Sequence, residues 1–307
     1  MLTNSMKRKL VKQGTTTLMV SLPSKWIKAN NLDKGSEIDI TEKDNDLSIS
    51  IQKQIKKKEL TLSIKGYSPT AIRSLLTNAY RLQYDKITIE YTNEQDIVKI
   101  EQILKNTLIG FEIVSRTEKY CTIENITEPS IEHTDIIFNR LLHNIKELFE
   151  STKKQLLGNG EFTYINELEE NIQRYDNFCR RLSMTSQYAT LLVAFYKEIA
   201  QAQREIYYIA EYTSKKRTKI SNETIKLFDE MIKMFEKLRE AYQKNDLSLI
   251  EEMHSKEKEL IYTEGYSLLR KKKGDESIIL FRIMTAIRML YLSVSPLIGI
   301  IYMLTQE

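Results

Sequence analysis

The spacing of apolar residues changes once along this chain, and the change limits what the chain can fold into. Up to about residue 128, apolar residues alternate or gather in short runs bounded by turn residues, the pattern of strands and short helices. From about Ile131 to the end they recur every three or four residues, which puts them on one face of a helix. A chain of 307 residues with this division is long enough for two or three domains. Glycine (9) and proline (4) are scarce and 29% of the residues are charged, which favours a helix-rich soluble protein over a sandwich or a disordered chain. The expected fold class is multi-domain α+β, with the all-α part last.

Breakers at Gly158-Asn159-Gly160, Ser183 to Gln187, Ser214 to Ser221, Asn245-Asp246 and Gly274-Asp275 divide residues 129–307 into about six long helices. These read as two similar three-helix bundles in tandem, at about 129–214 and 220–307. Met289 to Leu304 is almost wholly apolar, but that stretch is shorter than a bilayer span, holds Pro296 and closely follows Arg282 and Arg288. It is expected to be a buried bundle helix, without stable membrane insertion.

Residues 56–128 read as a small βαβαββ domain. The expected elements are a strand at Leu60 to Lys65, a helix at Pro69 to Gln83, a strand at Lys86 to Tyr91, a helix at Asn93 to Leu108, and strands at Phe111 to Arg116 and Tyr120 to Glu124. The first crossover is long enough for a right-handed βαβ unit, so the two strands it joins are expected to be parallel.

Residues 1–55 form the first expected domain. Short strands at Lys9 to Lys12 and Leu18 to Ser21 flank Gly14, a helix starts at Pro23, a turn runs from Asn31 to Gly35, and alternation resumes in Ser36 to Thr41 and Leu47 to Ile51. Ile38, Ile40, Leu47, Ile49 and Ile51 give that last hairpin one apolar face. Four short strands and one short helix cannot bury it alone, so an obligate dimer is the economical solution.

The same segment concentrates the basic charge. Lys7, Arg8, Lys9, Lys12, Lys25 and Lys28 all precede Asp33, the first carboxylate. Residues 1–58 carry twelve Lys/Arg and six Asp/Glu, a net of +6, so the chain total of +4 leaves −2 for residues 59–307. Arg8, Lys9, Lys12, Lys25 and Lys28, with hydroxyls from Thr15, Thr16 and Thr17, are the candidate DNA-binding residues. The cations would displace counterions from phosphates while the hydroxyls and backbone N–H groups fix the register.

Elsewhere the chemistry is sparse. Cys121 and Cys179 lack CxxC or histidine-clustered spacing, which suggests neither a disulfide framework nor a zinc site. His133, His143 and His254 are scattered, and no Walker, GxSxG or HExxH motif occurs. No enzyme activity, cofactor or catalytic residue is expected, and the absence of an apolar leader together with the cysteine usage points to the cytoplasm.

Two resemblances sharpen these expectations. The run Gly14…Val20-Ser21-Leu22-Pro23-Ser24-Lys25-Trp26, followed by Leu32-Asp33-Lys34-Gly35-Ser36-Glu37-Ile38, resembles the AbrB/SpoVT swapped-hairpin DNA-binding family over roughly residues 6–52. The resemblance implies an intertwined homodimer with basic residues of both subunits against the major groove. Lysine at most basic positions favours backbone affinity over bidentate guanine reading. Leu168-Glu169…Ile172-Gln173-Arg174-Tyr175 and Lys197 to Ile206 are similar to two PhoU-family helices, and Leu249 to Ile261 and Ile287 to Ile298 to their equivalents in a second bundle.

The whole order of domains resembles archaeal AbrB-linked phosphate uptake regulators. By that resemblance the helical region senses phosphate status and partners phosphate transporter components. PhoU helices carry inward acidic pairs four residues apart that bind metal; here Gln173, Gln201, Ile261 and Tyr291 stand at partner positions, so no metal site is implied. Glu169 and Glu257 are then expected on solvated or salt-bridged helix faces, and His254 on the surface. The leading expectation is a DNA-binding transcriptional regulator of phosphate uptake. The alternative is a PhoU-type adaptor docking on a transporter or sensor kinase, with the N-terminal domain only dimerising.

Overall fold

The computed structural model describes residues 7–14, 16–43, 46–50, 57–127, 134–216 and 218–305. It divides into two compact units, Met1–Lys56 and Lys57–Glu307.

In the first unit, β1 (Val11–Gln13) and β2 (Thr17–Met19) form an antiparallel hairpin that pairs Val11 with Met19 and Lys12 with Leu18. Its turn uses Gly14 at φ +76°, a conformation that a Cβ would strain. Helix α1 (Ser24–Ala29) follows Pro23, whose missing N–H costs nothing at a helix start, and it ends where the Asn30 side chain donates to the Trp26 carbonyl at 2.8 Å. A second antiparallel hairpin joins β3 (Asp39–Lys43) to β4 (Asp46–Ser50) and sets Ile40 opposite Ile49. Both hairpins were expected; Ile51 lies outside the described residues.

No described residue of this unit is buried. Val11 and Leu18 are each 59% exposed, Ile40 60% and Leu47 68%. Among the described residues, a lone copy therefore has a ladder of backbone hydrogen bonds but no core, and such small sheets gain stability only by covering an apolar face.

The second unit starts with a four-stranded sheet, ordered β5-β6-β8-β7, from β5 (Glu59–Ser63), β6 (Lys86–Glu90), β7 (Phe111–Arg116) and β8 (Tyr120–Asn125). β5 and β6 are parallel as expected, and the remaining pairings are antiparallel. Helix α2 (Pro69–Arg81) begins at Ser68, whose hydroxyl accepts from Ala71 N, and α3 (Glu94–Thr107) begins at Asn93, whose side chain accepts from Asp96 N. Ile87, Ile89, Cys121 and Ile123 are buried on one face of the sheet, while Thr88 and Thr122 alternate onto the other.

Four long helices follow: α4 (Thr134–Leu156), α5 (Phe162–Ser183), α6 (Ala189–Ser214) and α7 (Asn222–Lys244). Their ends fall at the breakers read from the sequence. α4, α5 and α6 pack on one another, α4 also meets α7, and α2 and α3 lie against α5.

Beyond α7 the expected continuous helix is broken up. A 3₁₀ turn (Leu247–Ile250) leads to α8 (Met253–Lys258), a π-helical stretch (Glu259–Gly265) and α9 (Tyr266–Lys271). At Gly265 a Cβ would lie 2.8 Å from Met284 Sδ, so this close helix approach requires glycine. The last expected helix is two: α10 (Asp275–Leu292) and α11 (Val294–Leu304) meet at Ser293. Pro296 has no N–H to offer the Leu292 carbonyl, which explains the break there.

α10 packs on α6 and α7, and α11 on α6, burying Ile283, Ile287, Leu290, Leu297 and Ile301. The apolar stretch is nevertheless longer than the sequence suggested. Asp275–Leu304 spans 30 residues, enough by length and composition to cross a membrane, although 39% of its most apolar window is buried inside the unit.

Candidate nucleic-acid interface

The basic residues sit where turn chemistry places them. Lys12 is on β1 across from Leu18, Thr17 opens β2 across from Gln13, and Thr16 lies at the turn before it. Lys25 and Lys28 are three residues apart on α1 and hence share a face. Arg8 and Lys9 lead into β1, and Thr15 lies outside the described residues.

Arg8, Lys9, Lys12, Lys25 and Lys28 are all exposed, and among the described residues none of them forms an ion pair or a side-chain hydrogen bond. Surface lysines elsewhere in the chain behave differently: Lys65 meets Glu90 at 2.7 Å, Lys153 meets Asp229 at 2.5 Å and Lys233 meets Glu230 at 2.7 Å. Among the described residues, no carboxylate of this chain pairs with these N-terminal cations. A polyanion would meet them without first displacing an internal partner.

In the helical region the two singled-out glutamates are not solvated. Glu169 is 4% exposed and Glu257 is 1% exposed. Glu169 accepts from the Gln173 amide at 2.6 Å and from the Gln203 amide, and Arg288 donates to Glu257 Oε1 at 2.6 Å. The salt-bridged reading therefore holds for Glu257 and the solvated reading for neither, because each carboxylate on an inward face is held by a partner that a one-dimensional pattern does not show. Gln203, two residues beyond the expected Gln201 and so on a different helix face, is the residue that reaches Glu169. His254 is exposed with its ring 5.2 Å from that of Tyr291. No group of three or more His, Cys, Asp or Glu that could hold a metal ion occurs among the described residues. Cys121 and Cys179 are free and buried.

Burial, opposed by the two amide donors and by Arg204 and Arg73, raises the Glu169 carboxyl above its ordinary range. The folded chain thus holds this proton to higher pH than the unfolded chain does. Its contribution to stability is complete below the ordinary carboxylate value and is lost as pH rises through the raised one. Melting curves at about pH 5 and about pH 8 should show a smaller difference for Glu169→Gln than for the wild type. An unchanged difference would show that Glu169 does not titrate as its burial requires.

Residues 11–59 match the family model described as antidote-toxin recognition MazE, bacterial antitoxin. No curated protein matches the chain, and no solved structure does. The N-terminal unit is accordingly similar to a MazE antitoxin domain over these residues.

Proposed function

We propose that this chain is a cytoplasmic transcriptional regulator that binds DNA as a homodimer through its N-terminal unit and catalyses no reaction. The observation that carries this reading is the coincidence, in one unit, of five exposed cations without partners and exposed apolar side chains without a core among the described residues. Dimerisation would cover Val11, Leu18, Ile40 and Leu47 and double the basic surface. The swapped-hairpin pairing implied by the sequence resemblance is one way to do so. The helical region would relay the signal, and by its PhoU resemblance the regulated process would be phosphate uptake, with transporter components as further partners.

A second reading, an adaptor whose N-terminal unit only dimerises, draws support from α10 and α11, where Phe281 and Tyr302 remain exposed on apolar helices. Selection of genomic DNA fragments by the purified full-length chain separates the two. A reproducible set of enriched fragments is the result expected of a regulator, and the neighbouring genes would identify the pathway. Retention of no fragment at low salt by a chain that is dimeric would leave the adaptor.

A further inference from the structure

A cavity of about 300 Å³ lies within the second unit where α2 meets α5 and α6. Three arginines from two distant stretches of sequence line it: Arg73 and Arg81 from α2 and Arg204 from α6. Asp176 and Asn177 of α5 form its back, with Thr70 and Asn78 of α2 as further polar lining.

The charge in this cavity is not balanced. Asp176 is shared: Arg180 Nε donates to it at 2.8 Å and Arg81 Nη2 lies 3.5 Å away. Arg81 Nε also donates to Asn177 Oδ1 at 2.9 Å, and the Asn177 amide is fixed in turn by the Thr107 carbonyl at 2.9 Å. Burial, with Arg180 and Arg204 acting in the same direction and Asp176 against them, holds Arg81 below the usual arginine range. Arg73 and Arg204 are exposed and have no ion pair or side-chain hydrogen bond among the described residues. The other nearby carboxylate, Glu169, is buried and already accepts from two amides. Three guanidinium groups therefore line a cavity whose one lining carboxylate, Asp176, is already shared with Arg180, in a stretch of chain (residues 59–307) whose net charge is −2. An excess of positive charge so local, on a unit that is otherwise slightly acidic, is electrostatically unfavourable until an anion enters.

We propose that this cavity binds a small, multiply charged oxyanion of the phosphate class, either inorganic phosphate or a phosphoanhydride or phosphate ester. Guanidinium groups arriving from α2 and α6 present planar forks to a tetrahedral anion from different sides, whereas a single carboxylate offers only one edge. A multiply charged anion would offset most of the positive charge that Asp176 leaves. Bound there, the anion would tie the helix layer of the sheet domain to α6. The site lies wholly in the second unit and does not depend on the DNA reading; binding is measured without DNA, so either can fail while the other stands.

The test is calorimetric titration of the full-length chain with inorganic phosphate and, separately, with pyrophosphate. Saturable binding of inorganic phosphate assigns the free anion, and binding of pyrophosphate alone assigns a phosphoanhydride or ester; either supports the site. The double variant Arg73→Gln, Arg204→Gln should bind at least about tenfold more weakly while its circular dichroism stays that of the wild type, since neither side chain has an ion pair or side-chain hydrogen bond among the described residues to lose. Thermal stabilisation by the ligand should follow the same order. Three results overturn the proposal: neither anion binds the wild type, the double variant binds as tightly as the wild type, or citrate binds more tightly than both phosphates.

Discussion

Replacing Arg8, Lys9 and Lys12 together with alanine is expected to remove most of the salt dependence of DNA binding and with it most of the affinity at low salt. Each phosphate neutralised contributes about −0.9 to the slope of log K against log salt, and a dimer doubles every contact. If all three residues of both subunits meet phosphates, the variant should lose about five units of slope. Six such contacts are worth on the order of 10³-fold in affinity between about 50 and about 200 mM salt. None of the three residues is buried or engaged with another side chain among the described residues, so the fold should be indifferent to the change. Fluorescence anisotropy on a labelled duplex across a salt series, with circular dichroism as the control for folding, checks both halves of the expectation. A variant whose slope equals that of the wild type would place the DNA elsewhere.

The second large effect concerns the seam inside the second unit. Arg181, near the end of α5, is 2% exposed. Its guanidinium donates to the Tyr80 carbonyl at 2.8 Å, the Tyr84 carbonyl at 3.1 Å and Asp85 Oδ1 at 2.5 Å, with its charge 5.0 Å from the Tyr80 ring centre. Gln83, held at φ +62°, returns a bond to the Arg181 carbonyl at 3.2 Å. One side chain thus bonds to the end of α2 and the residues just before β6 from a helix 96 to 101 residues further on.

Arg181→Ala takes the guanidinium from the Tyr80 and Tyr84 carbonyls and from Asp85, leaving Tyr80 the Gln83 N–H at 3.0 Å and Asp85 the Lys58 N–H at 3.1 Å, and opens a cavity. Removing one partner of such a buried pair costs about 3–5 kcal/mol, a large part of the stability of an ordinary domain. Chemical denaturation should show that loss, and hydrogen exchange should show it first in the last turn of α2. A loss below about 1 kcal/mol would mean that the seam is held by apolar packing alone.

Much of the fold was legible because local chemistry decided it. Pro69 after Ser68 starts α2, Gly158-Asn159-Gly160 separates α4 from α5, and the length between Leu62 and Ile87 requires a crossover and hence a parallel pair. The irregular stretch from Leu247 to Lys271 was not legible; it includes the close approach of Gly265 to Met284, a contact between helices that no spacing rule records. The partners of Glu169 and Glu257 were hidden for the same reason. In sequence, a buried carboxylate and a solvated one look alike, and what tells them apart is a residue such as Gln203 or Arg288 some thirty positions away.

The basic N-terminal segment was visible as composition, and what the structure adds is that Arg8, Lys9, Lys12, Lys25 and Lys28 have no ion-pair or side-chain hydrogen-bond partners among the described residues. The arginine cavity was invisible, since Arg73 and Arg204 lie on helices that only folding brings together.

The central claim, that the N-terminal unit is a dimeric DNA-binding module, is tested most directly by titrating the wild-type chain onto a labelled duplex at low salt while reading stoichiometry and salt slope together. The account predicts two chains per bound duplex and a steep negative slope. Absence of binding at low salt, or saturation at one chain per duplex, would contradict it.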